Sequence, residues 1–336
     1  MSKKVGIFGG TFNPVHRGHE ASVRQVHQLL NLDKIIVVPT FQSPHRMQEE
    51  VAPAPQRLEM VKRAFASMDF VEVSSYECTK KSVSYTIETL EHLKSLQPND
   101  ELYLIIGADQ FNQFHRWQDF AKILQISHLV VTSRPGVDLV QSKLELPEEL
   151  ARLITNDKNE TWNLTTGKKI YLIQLEDVEA SSSEIRSRLR SGESVSQLLN
   201  QDVEKYIKEQ EVYPPIKSLL KDYLPFTHFC AQVLADGKAI NIVAKDMRDD
   251  EKPMEFALIA SGNSRKHATA LAEQVARQVK KKYRFNPLHI DGQVEGQWIV
   301  LDYGSLMVHI FYDYTRQEYQ LEKLWGEVKD LELDLK

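Results

Sequence analysis

Short apolar runs closed by glycine or proline recur along the first two thirds of the chain. They alternate with stretches whose apolar residues fall three or four apart. Residues 5–8, 34–39, 70–73, 102–106 and 128–132 read as strands, most of them apolar on both faces, as strands between two covering layers are. Residues 18–31, 56–65, 84–96 and 117–124 read as helices; in the first, Ala21, Val23, Val26, Leu29 and Leu30 form the apolar stripe. Strands alternating with helices predict an α/β fold with a parallel sheet and right-handed crossovers, its ligand beyond the carboxyl ends of the strands. The unusual residues collect at those ends: 9–19, 40–46, 107–109 and 134–136.

Residues 203–213 predict a short closing helix, and Pro214-Pro215 cannot continue it. The reading is a first domain over 1–213, a stiff connection over 214–222 and a second domain over 223–336. From Pro225 the pattern restarts, with a helix to Gly237 and strands at 240–245 and 256–260. A helix at 267–283, strands at 288–290, 298–303 and 306–312, and a helix from Leu321 follow. This is a smaller α/β domain with few helices for two apolar sheet faces. In its last strand Val308 and Ile310 point one way, Met307 and Phe311 the other, with His309 between. A left-over apolar face suits a partner protein or self-association as a homo-oligomer.

Composition narrows the class. Over 336 residues, 42% hydrophobic and 26% charged, there is apolar material for real cores. The net charge of −5 divides as −4 before residue 215 and −1 after it, so neither part has the basic surplus of a dedicated nucleic-acid binder. Cys78 and Cys230 stand alone, which disfavours a disulfide scaffold or a cysteine–zinc site. No signal-peptide pattern opens the chain, and no run reaches the ~18 apolar residues of a membrane span. A soluble cytoplasmic protein is expected.

The candidate chemistry lies at the strand ends. Gly9-Gly10 breaks the first strand just before a helix whose unpaired N–H groups suit an anion. Neither a dinucleotide GxGxxG nor a Gly-Lys-Ser/Thr phosphate loop is present. His16 and His19, three apart, share one face of that helix start. Such a pair suits phosphate oxygens; it also suits one surface and one packed histidine, or a zinc pair with no third ligand nearby. Ser181 and Glu184 form a capping-box pattern. It describes a well-capped helix, and equally an anion site with Ser182, Ser183 and Arg186 around it.

These motifs together resemble a known family. Gly9-Gly10-Thr11-Phe12-Asn13-Pro14 with His16-x-Gly18-His19 resembles the HxGH nucleotidylyltransferase signature. Pro39-Thr40, Ser43-Pro44-His45-Arg46, Arg57-x-x-Met60, Ser84-Tyr85-Thr86, Gly107-Ala108-Asp109, Arg134-Pro135-Gly136 and Ser182-Ser183-x-Ile185-Arg186 extend the likeness to bacterial nicotinate-nucleotide adenylyltransferases over residues 3–213. Asn13, Arg46 and Ser183 depart from the usual Asp, Lys and Thr but keep the hydrogen-bonding type. The resemblance implies a Rossmann-like domain that moves the adenylyl group of ATP, with Mg²⁺, onto nicotinate mononucleotide. It implies that His16, His19, Arg46 and Arg186 handle phosphate charge, and that Gly9, Gly10, Thr11, Phe12, Ser182 and Ser183 line ATP. Tyr85, Thr86, Asp109, Trp117 and Arg134 fall beside the pyridine nucleotide, Trp117 as a stacking platform or a packed core aromatic. Nicotinamide mononucleotide and pantetheine phosphate are the rival acceptors; a non-catalytic regulatory protein is the rival of another class.

The second domain has no catalytic constellation. Ser261-Gly262-Asn263-Ser264 caps a helix, and Lys280-Lys281-Lys282 is a solvated helix end. Asp246-x-Arg248, Ala260-Ser261-Gly262-Asn263-Ser264-Arg265, Asp291-Gly292-x-x-Glu295-Gly296-x-Trp298-x-x-Leu301-Asp302-Tyr303-Gly304, Val308-His309-x-Phe311 and Leu321-Glu322-x-Leu324-Trp325 resemble the ribosomal silencing factor (Iojap) family. Residues 249–253 depart from its pattern. The resemblance implies binding to large-subunit protein uL14 and a block on subunit joining; Trp298, Leu301, Tyr303 and Met307 are the expected contact surface. An oligomerisation module serving the enzyme is the alternative.

Overall fold

The structure, a computed structural model, describes residues 2–44, 51–133, 139–140, 143–157, 160–176, 180–248 and 254–335. Arg46, Arg134 and the departure at 249–253 lie outside the described residues. The chain divides into two compact units, Met1–Ile185 with Val195–Val212, and Arg186–Ser194 with Tyr213–Lys336.

In the first unit β1 (Lys4–Gly10), α1 (Arg17–Leu30), β2 (Lys34–Pro39), α2 (Ala54–Phe65), β3 (Val71–Val73), α3 (Tyr76–Lys80) and α4 (Thr86–Leu96) come first. Then follow β4 (Glu101–Gly107), α5 (Ala108–Phe111), α6 (Phe120–Ile126), β5 (Ser127–Ser133), α7 (Glu148–Ala151), β6 (Ile154–Asn156), β7 (Thr161–Leu164), β8 (Lys169–Gln174), α8 (Ser182–Ser191), whose residues from Arg186 on are counted with the second unit, and α9 (Gln201–Glu209). The eight-stranded sheet runs β3-β2-β1-β4-β5-β8-β7-β6. The strands from β3 to β8 are mutually parallel; β7 and β6 are antiparallel additions at one edge. The chain order reverses beside β1, so the first strand is flanked by β2 and β4 and their carboxyl ends open on one side. The apolar runs are buried on both faces, as their composition requires: Ile35, Ile36, Val37 and Val38 are all at most 3% exposed.

Three sequence expectations change here. Leu29, placed on the apolar stripe of α1, is 58% exposed, and Val23 and Val26 carry that helix's burial. The helix expected from Trp117 begins at Phe120; a 3₁₀ turn at Phe114–Arg116 precedes it and leaves Trp117 extended. The hairpin of β7 and β8 was not anticipated at all. It buries Trp162, Leu164, Ile170 and Leu172 in the core shared with β1 and β4.

The second unit contains α10 (Ile216–Leu219), α11 (Leu224–Asp236), β9 (Ile240–Asp246), β10 (Phe256–Gly262), α12 (Arg265–Tyr283), β11 (His289–Asp291) and β12 (Trp298–Asp302). It ends with β13 (Leu306–Tyr312), α13 (Asp313–Tyr319), α14 (Leu321–Leu324) and β14 (Lys329–Leu331). Its sheet runs β11-β12-β13-β10-β9-β14, mixed because only β10 and β13 are parallel. Ile216 and Leu220, in the segment read as a connection, are buried in this core beside Tyr223 and Phe226.

The alternation along β13 holds, with Val308 and Ile310 under α11 and α12. The opposite face is less bare than the sequence suggests. Phe311, Ile259 and Leu321 pack there, with Trp298 and Trp325 partly buried against them. Buried Arg316 fastens α13, donating to Asn241 O at 2.6 Å, Ser261 Oγ at 3.1 Å and Glu322 Oε1 at 2.6 Å.

Candidate active site and partner surface

The glycine turn of β1 is shaped by what lies beneath it. Phe12 has φ +48, a left-handed backbone costly for an aromatic residue. Its ring is buried, edge-on to Phe8 at 5.7 Å and to His19 at 5.1 Å between centroids. A Cβ on Gly10 would meet that ring at 3.0 Å, so any larger residue here would have to push the buried ring aside.

His16 is the N-cap of α1 and is 3% exposed. The two imidazoles stack at 3.7 Å. His16 N–H donates to His19 Nδ1 at 3.2 Å. An imidazole that accepts through Nδ1 carries its proton, when neutral, on Nε2. In neutral His19 that proton lies at the start of α1, where the helix N–H groups favour anions. Among the described residues no three His, Cys, Asp or Glu side chains stand together as metal ligands.

The start of α8 is drawn to the same loop. Ser182 Oγ donates to Pro14 O at 2.9 Å, and Ser181 Oγ accepts from Glu184 N–H at 3.2 Å, as the capping pattern predicts. Ser183 is exposed beside Ser181, and Arg186 follows one turn along α8. On the other side of β1, Asp109 is exposed at the end of β4, Tyr85 caps α4, and Thr86 is its first residue. Trp117 and Tyr85 are partly buried against the core, Trp117 5.3 Å from Phe114 between centroids. Sheet order thus sets the glycine turn after β1 beside the end of β4 that leads to Asp109, and the Ser182 bond draws the start of α8 to the loop before His16.

Sequence reasoning missed what holds these loops. Arg57, on α2, is 1% exposed. Its Nη1 donates to Thr11 O at 2.7 Å, its Nη2 to Phe41 O at 2.9 Å and its Nε to Ala52 O at 2.8 Å. One guanidinium ties the glycine turn to the segments after β2, which wall a cavity of about 380 Å³ lined by Thr11, Phe41, Ser43 and Pro53. The motif containing Arg57 was visible, but an arginine on a helix reads as solvated until its burial is known. Asn13 joins the same cluster by accepting from Ala52 N–H at 3.0 Å.

On the second unit the four residues expected at the partner surface divide by burial. Leu301 and Tyr303 are fully buried beneath α11 and α12, so they cannot touch a partner. They alternate with Trp298 and Met307, which keep partial exposure. Trp298 lies 4.8 Å from Phe311 and 5.1 Å from Tyr319 between centroids, and its Nε1–H donates to His309 Nδ1 at 3.3 Å. Burial pushes the His309 imidazole down to about 4. No helix among the described residues is long and apolar enough to cross a membrane.

Comparison with known proteins agrees with both halves. Residues 7–188 match the family described as cytidylyltransferase-like, and residues 222–336 match the ribosomal silencing factor during starvation family. A protein of Desulfitobacterium hafniense (strain Y51) described as "Probable nicotinate-nucleotide adenylyltransferase" is 35% identical over 211 residues, covering 63% of this chain and 96% of its own. One of Geotalea daltonii with the same description is 36% identical over 211 residues, covering 62% and 98%. A Plasmodium falciparum nicotinic acid mononucleotide adenylyltransferase structure covers 63% of this chain and 97% of its own at 19% identity, with a TM-score of 0.49. In its N-terminal part the chain belongs to the nicotinate-nucleotide adenylyltransferase family, and it continues into a domain of the ribosomal silencing factor family.

Proposed function

We propose that the first unit transfers the adenylyl group of ATP to nicotinate mononucleotide, giving nicotinate adenine dinucleotide and pyrophosphate. The observation that carries this is the stacked His16–His19 pair beside the glycine turn, with His19 Nδ1 accepting from the His16 N–H at the start of α1. A phosphate monoester has its second pKa near 6 and is ionised at neutral pH, so the nucleophile needs no general base. One of its oxygens forms a bond to the ATP α-phosphorus as the bond to the bridging pyrophosphate oxygen breaks. What the protein supplies is in-line alignment and charge stabilisation.

In this reading Gly9, Gly10, Thr11 and Phe12 approach ATP with backbone groups, and His16 and His19 donate to its phosphates. Ser182 and Ser183 hold phosphate at the start of α8, and Arg46 and Arg186 neutralise the charge that develops. Mg²⁺ would enter with ATP as part of the substrate and would supply positive charge at its phosphates. Tyr85 and Thr86 receive the ring carboxylate at the start of α4. Trp117 stacks on the ring, with Asp109 and Arg134 beside the acceptor.

The deciding experiment offers ATP with nicotinate mononucleotide, nicotinamide mononucleotide and phosphopantetheine in turn and follows pyrophosphate release. Turnover with the first is expected; none with it, or preference for another, overturns the assignment. His19→Ala should lower kcat by about 10²–10³-fold, the usual cost of a lost charge-stabilising donor.

For the second unit the proposed activity is binding to uL14 on the large ribosomal subunit, blocking subunit joining and repressing translation. The family match over 222–336 supports it. Trp298 and Met307 would make the contact, with Leu301 and Tyr303 beneath them as support. Full-length protein should co-sediment with large subunits, and Trp298→Ala should weaken that association.

A further inference from the structure

The short helix α3 is laid along the first two turns of α4 and fastened there three times. Tyr76 stacks on His92 at 3.9 Å between centroids. Lys80 pairs with Glu88. Between these surface ties, Thr89 Oγ1 donates to Glu77 Oε1 at 2.6 Å. Glu77 is 6% exposed and Thr89 3%. Glu77 Oε2 is buried and has no hydrogen-bond partner among the described residues. The same helix start is held from its other side. Ser84 N–H donates to Gln42 O at 2.9 Å, and Ser84 Oγ accepts from Phe41 N–H at 3.1 Å.

A carboxyl buried with few polar partners is a costly element of any core, and the adenylyl-transfer chemistry does not use it. Its position gives it a use. The first turn of α4 carries the N–H groups and the positive end of the helix dipole. An ionised carboxylate there would compete with an anionic ligand for that field. Burial favours the neutral form of Glu77, against the Thr89 and Ser84 hydroxyls and the Lys80 charge, which favour the ionised form; Glu88 acts in the same sense as burial.

We propose that Glu77 is a positioning residue for the acceptor nucleotide, bracing α4 through Thr89 so that its first N–H groups meet the acceptor's ring carboxylate. This rests on the assignment above that α4 receives that carboxylate.

Steady-state kinetics of the full chain test it with Glu77→Ala, Glu77→Gln and Thr89→Val. In Glu77→Ala, KM for nicotinate mononucleotide should rise about tenfold while KM for ATP stays within about twofold, the loss of roughly one hydrogen bond's worth of placement. Glu77→Gln, whose amide oxygen still accepts from Thr89, should restore KM to within about threefold, and Thr89→Val should reproduce the alanine effect. Unchanged KM for the acceptor in all three variants overturns the proposal. So does a parallel rise in both KM values, the mark of general loosening, or a glutamine variant as impaired as the alanine one. If wild-type protein fails to turn over nicotinate mononucleotide, the acceptor assignment itself falls and takes the brace's role with it, a result distinct from a working enzyme indifferent to Glu77.

Discussion

Arg57 shows how one buried side chain can hold together the walls of a cavity that it also lines. Its three carbonyl partners belong to three separate segments, and a lysine's single ammonium cannot reproduce the planar fork that reaches them. Arg57→Lys should cost about 3 kcal/mol, since buried carbonyls lose donors at roughly 1–3 kcal/mol each. Urea unfolding followed on the first unit would measure this, and kcat should fall with it because Thr11 loses its anchor. His309 makes a second residue-scale case. The unfolded chain's histidine takes a proton near pH 6.5, the folded one only at about 4. Between those values the unfolded form binds more protons, so this contribution is complete above about pH 6.5 and is lost progressively as the pH falls to about 4. Hydrogen exchange in β13, corrected for intrinsic rates, should show that acid-induced opening. His309→Phe should flatten the dependence, and an unchanged slope would count against it. Neither role was readable beforehand: burial of a polar side chain is a property of the assembled core, and spacing along the chain does not carry it.

Elements were legible where one pattern dominated. β1, β2, β4 and β5 announce themselves as apolar runs ending at glycine or proline, and α12 by its long stripe of Leu271, Val275 and Val279. The β7–β8 hairpin did carry a signal, in the alternation of Trp162, Leu164, Ile170 and Leu172 about a turn where Gly167 has φ +80. A search for buried parallel strands passes over it, because half its residues face solvent. α13 carried almost none, since Thr315 and Arg316 are its buried residues and neither is apolar. Gly292 marks the element on which the proposed partner surface depends. It has φ +73, and a Cβ there would lie 1.9 Å from Trp298 O. Gly292→Ala should therefore shift the start of β12 and destabilise the second unit by about 2 kcal/mol. Co-sedimentation with large ribosomal subunits should weaken, while adenylyl transfer stays unchanged.

At the scale of the whole chain, two sheets with separate hydrogen-bond networks carry two family likenesses. The restart of the pattern after Pro214-Pro215 made that division visible. The fate of residues 214–222 was not, because a single turn such as α10 is too short for periodicity to register. Separate cores predict separable activities. His19→Ala should leave ribosomal association at its wild-type level, and Trp298→Ala should leave kcat and both KM values within about twofold, as surface changes remote from a site do. Loss of both functions in either variant would argue that the units depend on each other.

The backbone bond to His19 Nδ1 has a spectroscopic consequence. It selects one tautomer of the neutral ring, so a ¹⁵N-labelled sample should show His19 with a protonated ε nitrogen and an acceptor-type δ nitrogen before any nucleotide is added. ATP would then perturb the ε resonance first and leave the δ resonance nearly fixed. The capping bond that starts α1 would thus make His19 a built-in ¹⁵N reporter of phosphate arrival.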